Sequence, residues 1–256
     1  MDLKLNGDIA AVVTGGASGL GGATATMLAA SGVKVAIFDL NREAGERHAH
    51  AIGGTFCHVN VADEQSVLAG LEAAEAEHGV ARILVNCAGI APPGKTLGKE
   101  LQPLPLDIYR KAIEINLVGT FAMISLFAAR LAAFDPIGEE RGVIINTASI
   151  AAFDGQMGQA AYAASKGGVV GMTLPVARDL AQHLIRVVTI APGLFLTPMM
   201  LGLPQAAQDS LGAQVPHPRR LGRPEEYAGL VASIIDNPML NGEVIRLDGA
   251  IRLTPR

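Results

Sequence analysis

Seven short runs rich in β-branched residues recur along the chain, each separated from the next by a longer stretch rich in alanine, leucine and charge. They read IAAVVT (9–14), VKVAIFD (33–39), TFCHVN (55–60), RILVN (82–86), VIINTAS (143–149), IRVVTIA (185–191) and EVIRLD (243–248). Most are continuously apolar instead of alternating, the pattern of strands covered on both faces. Between them helices are predicted near 20–30, 42–51, 63–78, 106–133, 159–182 and 224–236. This alternation selects one architecture: an α/β fold with a doubly wound, mostly parallel sheet of about seven strands and helices on both faces. Right-handed crossovers then bring the carboxyl ends of all strands to one edge, where ligands of such sheets bind.

At 256 residues, half of them hydrophobic and 17% charged, the chain suits one large core, and residues 1–256 are expected to form a single domain. Net charge −4 offers no basic surface for nucleic acid or an anionic membrane. Three Tyr, seven Phe and no Trp leave few platforms for stacking bases. Cys57 and Cys87 form neither a C-x-x-C pair nor a framework, and read as reduced core residues. The start, MDLKLNGDIA, lacks the features of a secretory or organellar leader, and no run of about 18 consecutive apolar residues marks a membrane span. The expected location is cytoplasmic, with an organellar address removed beforehand left open. Two connections break the rhythm, at 91–105 and 196–224. Loops of this size tend to be lids or binding loops, and here they are expected over the substrate site. Plain surface padding is the alternative, stronger for the first.

The first run leads into TGGASGLGG (14–22). Gly15, Gly19 and Gly21 fall where a strand turns into a helix, and let backbone approach a pyrophosphate at the helix's positive end. The spacing is G-x-x-x-G-x-G, so alone it is a weak signal, and a tight structural turn is the alternative. Asp39 ends the second run, 18 residues after Gly21, where a carboxylate meets the ribose hydroxyls of a dinucleotide and repels a 2′-phosphate. The next residue is Leu40, not arginine, which favours NAD over NADP, although Arg42 stands nearby.

A second polar set lies on otherwise apolar elements. Ser149 follows the fifth run, Tyr162 and Lys166 stand one helical turn apart, and Asn116 sits in a long apolar helix where asparagine is mildly unfavourable. Singly, a Tyr-x-x-x-Lys is usually a surface pair and a serine after a strand usually a cap. Their order overturns that reading. His48 and His50 form an H-x-H with no third ligand in view and read as a solvated helix face, and no metal site is expected.

Together T14-G-G-A-S-G-L-G21, N86-C-A-G89, N116, S149, Y162-x-x-x-K166 and P192-G193-x-x-x-T197 resemble the short-chain dehydrogenase/reductase family over the whole chain. The resemblance implies a Rossmann-type fold and an NAD-dependent alcohol dehydrogenase. Tyr162 would be the general acid/base and Ser149 would hold the substrate oxygen. Lys166 would bind the nicotinamide ribose and favour the phenolate, and Asn116 would hold a water in a proton relay. A nearby ammonium and an oxidised nicotinamide would each draw the phenol down from its ordinary value near 10. The cofactor would meet Gly15, Ser18, Gly19, Leu20, Gly21, Asp39, Asn60, Val61, Asn86, Ala88 and Gly89. On the nicotinamide side it would meet Tyr162, Lys166, Pro192, Gly193, Phe195 and Thr197. Gln159, with Ser149 and Tyr162, would line the substrate pocket, and Gln156 serves either there or as a cap.

Near-continuous likeness from about 142 to 252 points to the branch acting on 3-hydroxyacyl-CoA thioesters and some hydroxysteroids. That branch implies a homotetramer and a small-molecule substrate, an acyl-CoA or a steroid-like alcohol or ketone. Two positions depart from the family pattern: Asn60 stands where Asp is usual, and Cys87 replaces the second Asn of Asn-Asn-Ala-Gly. Lys95, Lys99, Arg219, Arg220 and Arg223 are candidates for the CoA phosphates, against the plainer reading of solvated loop charges. A protein that binds NAD without turnover is the rival of another class, and the intact Asn-Ser-Tyr-Lys set argues against it.

Overall fold

A computed structural model describes residues 5–255. Met1–Lys4, the head of the run read above for a leader, and Arg256 lie outside the described residues. The elements follow in the order β1 (Ala10–Thr14), α1 (Gly19–Ala30), β2 (Lys34–Asp39), α2 (Arg42–Ile52), β3 (Thr55–His58), α3 (Glu64–His78) and β4 (Ala81–Asn86). Then come α4 (Leu106–Ile113), a π-helical turn (Glu114–Val118), α5 (Gly119–Leu131), β5 (Gly142–Thr147), α6 (Ala151–Asp154) and α7 (Ala160–Ala181). β6 (Ile185–Pro192), α8 (Pro198–Leu201), α9 (Gln205–Ala213), α10 (Pro224–Asp236) and β7 (Val244–Leu247) complete the chain.

The strands form one parallel sheet of seven in the order 3-2-1-4-5-6-7. Alternate residues of each strand feed opposite faces. Ile9, Ala11, Val13, Val35, Ile37, Ile83, Val85 and Ile145 pack towards α1 and α10, with Leu28, Val231 and Ile234. Val12, Ala36, Phe38, Leu84, Ile144 and Val187 pack against Met123, Ile124, Phe127 and Leu131 of α5 on the other side. Burial on both faces is why the runs are continuously apolar.

The helix starts carry their own signals. Asn41 caps α2 by accepting from Ala44 N–H, and Asp63 caps α3 by accepting from Gln65 and Ser66 N–H. Gly53 closes α2 in the left-handed conformation, φ 67°.

Three features differ from expectation. The helix predicted over 106–133 is interrupted by the π turn and ends at Leu131. By length and a hydropathy of 1.7 its 26 residues Leu106–Leu131 would suffice to cross a bilayer. Its inner side is instead committed to the sheet, with Met123 and Leu131 fully buried. The connection at 196–224 contains α8 and α9. β5 stops at Thr147, which places Ser149 just past the strand end.

Candidate active site

The carboxyl ends of the strands open onto a cavity of about 530 Å³. Its floor is the β1–α1 loop, where Gly15, Ser18, Gly19, Leu20 and Gly21 line it as expected. Gly19 takes φ +57°, and a β-carbon on Gly21 would strike the Gly15 carbonyl. Ser18, the N-cap of α1, makes no side-chain cap bond, and no acid lies in the first turn. The positive end of α1 therefore faces the cavity uncompensated, as a pyrophosphate requires. Thr14 Oγ1 accepts from the N–H groups of Cys87 and Ala88, both at 3.1 Å, tying the loop to the end of β4.

Asp39 lines the same cavity. Its Oδ2 accepts from Ala17 N–H (3.1 Å) and its Oδ1 from Asn41 N–H (2.9 Å), so each oxygen keeps a lone pair for a hydroxyl. Arg42 is turned away, paired with Glu46 at 3.0 Å and lying over the Phe56 ring. Asn60 and Val61 also line the cavity, with Asn60 Oδ1 accepting from Ala62 N–H at 3.1 Å. Ala88, Gly89, Pro192, Gly193, Phe195 and Thr197 also line it. These residues fit a dinucleotide laid across the strand ends.

Ser149, Tyr162 and Lys166 line the same cavity. Ser149 Oγ accepts from Ala151 N–H at 3.1 Å, which fixes its direction at the start of α6. Tyr162 and Lys166 rise from the first turns of α7. Lys166 is 5% exposed, and its Nζ donates to the Thr147 carbonyl at 2.6 Å. Burial pushes its pKa down to about 8. The Tyr162 phenol in the same site shifts upward. Burial pushes it up from its ordinary value, and the neighbouring Ser149 hydroxyl opposes that rise. A buried phenolate is costly. Lys166 stands 6.0 Å from the ring centre, held by Thr147, and does not offset that cost.

Asn116 lies in the π turn, fully buried. Its Oδ1 accepts from Ile90 N–H (2.8 Å), and its Nδ2 donates to the Ile90 carbonyl (2.8 Å) and to Ser165 Oγ (2.9 Å). The side chain thus clamps the β4 loop to α7 and has no N–H left for a water. That accounts for an asparagine within an apolar helix.

Two of the expected residues stand off the cavity wall. Asn86 is 3% exposed and does not line the cavity; its Nδ2 donates to Asn146 Oδ1 at 3.0 Å across β4 and β5. Cys87, next along and on the opposite face, lines the cavity instead. Its thiol is pushed up by burial, and Thr147 Oγ1 donates to it at 3.4 Å beside Tyr227. Gln159 also stays off the cavity wall, because its Oε1 accepts from Gln156 N–H at 3.0 Å. Of the five basic candidates, Arg220 is committed to Glu226 at 2.6 Å, and Lys95 and Lys99 stand exposed. Phe38, Leu40, Ile90, Ile115, Leu194 and Met200 add an apolar lining that no motif marks.

Residues 9–208 match the family model of the short chain dehydrogenases. The chain belongs to the short-chain dehydrogenase family. It is 53% identical over 251 residues to 3-hydroxyacyl-CoA dehydrogenase type-2 of Rattus norvegicus, covering 96% of each chain. The Homo sapiens protein of the same name is 52% identical with the same coverage. A crystal structure of 3-hydroxyacyl-CoA dehydrogenase type-2 from Mycobacterium avium superposes with a TM-score of 0.94 at 43% identity, covering 97% of this chain and 98% of that one. As a short-chain dehydrogenase the protein is an oxidoreductase using a nicotinamide cofactor, and the cavity, glycine loop and Ser-Tyr-Lys set are built accordingly.

Proposed function

We propose that this short-chain dehydrogenase oxidises the 3-hydroxyl of short-chain 3-hydroxyacyl-CoA thioesters to the ketone, and runs the reverse reduction, with NAD. The reading is carried by one observation: Ser149, Tyr162 and Lys166 line the same cavity as Asp39 and the glycine loop. Bound NAD supplies the hydride acceptor. Tyr162 takes the hydroxyl proton while Ser149 Oγ donates to the same oxygen as charge develops on it. Lys166 holds its place through the Thr147 carbonyl and offers its remaining N–H groups to the ribose and the phenol. Asn116 has spent its side chain, so a relay water would sit on its main-chain carbonyl, which already accepts from Thr120 Oγ1 at 2.8 Å.

NAD is preferred to NADP because the Asp39 carboxylate repels a 2′-phosphate and Arg42 is engaged with Glu46. Lys95 and Lys99, on the 91–105 connection, are the basic groups assigned to the CoA phosphates. That connection docks beside the site, with Gly94 N–H donating to the Gly158 carbonyl at 2.9 Å, two residues before α7. A homotetramer is supported by Val118 of the π turn, Phe121 of α5 and Leu174 of α7, large apolar residues left exposed.

The apolar lining from Ile90, Ile115, Leu194 and Met200 also suits a hydroxysteroid or another apolar alcohol. One assay separates these substrates: acetoacetyl-CoA, 2-methyl-3-hydroxybutyryl-CoA and a panel of hydroxysteroids, each with NADH or NAD. Acyl-CoA thioesters are expected to give the highest kcat/KM. A steroid turned over more efficiently than every thioester overturns the acyl-CoA reading and leaves the dehydrogenase chemistry standing.

A further inference from the structure

The H-x-H of α2 is not a pair. Residues two apart on a helix point to different sides. His50 is exposed, whereas His48 reaches across 32 residues of sequence to the glycine loop. We infer that His48 is a positioning residue for dinucleotide binding: a strut that holds the glycine loop in its binding shape before the ligand arrives. The inference rests on the dinucleotide reading of the cavity and is independent of the acyl-CoA reading.

His48 Nδ1 lies 2.8 Å from the Gly16 carbonyl oxygen. A carbonyl only accepts, so Nδ1 carries the hydrogen and donates. Nε2 faces Thr26 Oγ1 at 3.0 Å, and Thr26 Oγ1 is in turn 3.0 Å from the Gly22 carbonyl, so the one Thr26 hydroxyl hydrogen is donated to one or the other of these two acceptors. The chain Gly16–His48–Thr26–Gly22 therefore closes around the first turn of α1, the turn whose N–H groups face the cavity. His48 also packs against Gly22 at ordinary contact distance. A β-carbon there would lie 3.4 Å from His48 Cε1 and 3.6 Å from the Gly16 carbonyl.

The loop has two other tethers on this side, Gly15 N–H to the Phe38 carbonyl (2.8 Å) and Ala17 N–H to Asp39 Oδ2 (3.1 Å). Asp39 is the residue assigned to the ribose, so its hold on Ala17 is shared with the ligand. His48 stands behind the loop, outside the cavity lining, and its hold is not shared. Removing it leaves the loop to be ordered at the moment of binding, which weakens affinity and leaves chemistry in the bound state alone.

The test is a fluorescence titration of the purified protein with NADH, alongside steady-state kinetics. His48→Ala is expected to raise the NADH dissociation constant and the NAD KM about five- to twentyfold, the weight of one lost hydrogen bond to an ordered loop, with kcat at saturating NAD unchanged. His48→Asn places an amide N–H near the Nδ1 position and should return the dissociation constant to within about threefold of the parent. Thr26→Val, at an exposed site, removes only the back support and should weaken NADH about twofold to threefold; it carries the test should His48→Ala fail to fold. The strut is overturned if His48→Ala binds NADH like the parent, if His48→Asn is as weak as His48→Ala, or if kcat falls while affinity holds. A parent protein that binds no NADH sinks the dinucleotide reading itself.

Discussion

Lys166 Nζ donates to the Thr147 carbonyl at 2.6 Å, in a site where the lysine is 5% exposed and 6.0 Å from the centre of the Tyr162 ring. The carbonyl belongs to the last residue of β5, so the sheet itself sets where the ammonium stands. The same burial that fixes it pushes its pKa from 10.5 down to about 8.

A stability consequence follows with a definite sign. Between about pH 8 and 10.5 the unfolded chain binds the Lys166 proton and the folded chain releases it, so stability rises with pH across that window. Against Lys166→Met, the dinucleotide-free parent should gain on the order of 3 kcal/mol between pH 7.5 and 10.5, at about 1.4 kcal/mol per tenfold change in proton affinity. Urea unfolding of both proteins at the two pH values measures it. A difference that stays constant contradicts the assignment.

The Tyr162 phenol starts above its ordinary value because burial dominates. For alcohol oxidation, kcat/KM for NAD, which reports groups of the enzyme before NAD binds, should therefore climb through pH 7 to 9 with no plateau at neutrality. Ketone reduction, which needs the phenol protonated, should hold its rate over the same range. An oxidation profile flat from pH 6 to 9 would speak against Tyr162 as the base.

Asp39 is the charged group proposed to exclude a 2′-phosphate. Asp39→Ser should lower kcat/KM for NAD about tenfold, through weaker ribose contacts and a looser Ala17 tether. The ratio of NADP to NAD efficiency should rise at least tenfold. Kinetics with both cofactors decide it, and an unchanged ratio removes Asp39 from cofactor choice.

Asn116→Ala leaves both the N–H and the carbonyl of Ile90 without the partner they have now. Two orphaned backbone groups in a largely buried place should cost about 2–4 kcal/mol in chemical denaturation. Because Ile90 and Ala91 line the cavity, turnover should fall as well. Stability within about 0.5 kcal/mol of the parent would show that the clamp carries little.

The strands were legible to within two residues because continuous apolar runs have one stable use, in a sheet covered on both sides. The glycine loop and Asp39 were legible together because a pyrophosphate and a ribose sit a fixed distance apart. The π turn was not, since α and π backbones draw on the same residues; Asn116 gave only the hint that something there was being satisfied. α8 and α9 were hidden in a segment without a strong apolar period. Asn86 and Cys87 were assigned as one motif, but successive strand residues face opposite ways, and only Cys87 turns to the cavity. Gln159 fell short because spacing does not tell whether an amide is already engaged, here by Gln156. His48 was read with His50 as a solvated face because its partner is 32 residues away.

The central claim is that Tyr162 moves the proton in a dinucleotide-dependent alcohol oxidation. Tyr162→Phe keeps the ring and removes only the hydroxyl. Turnover of acetoacetyl-CoA with NADH should drop by about 10³-fold or more, while NADH binds within about threefold of the parent affinity. Turnover surviving within tenfold of the parent would contradict the account.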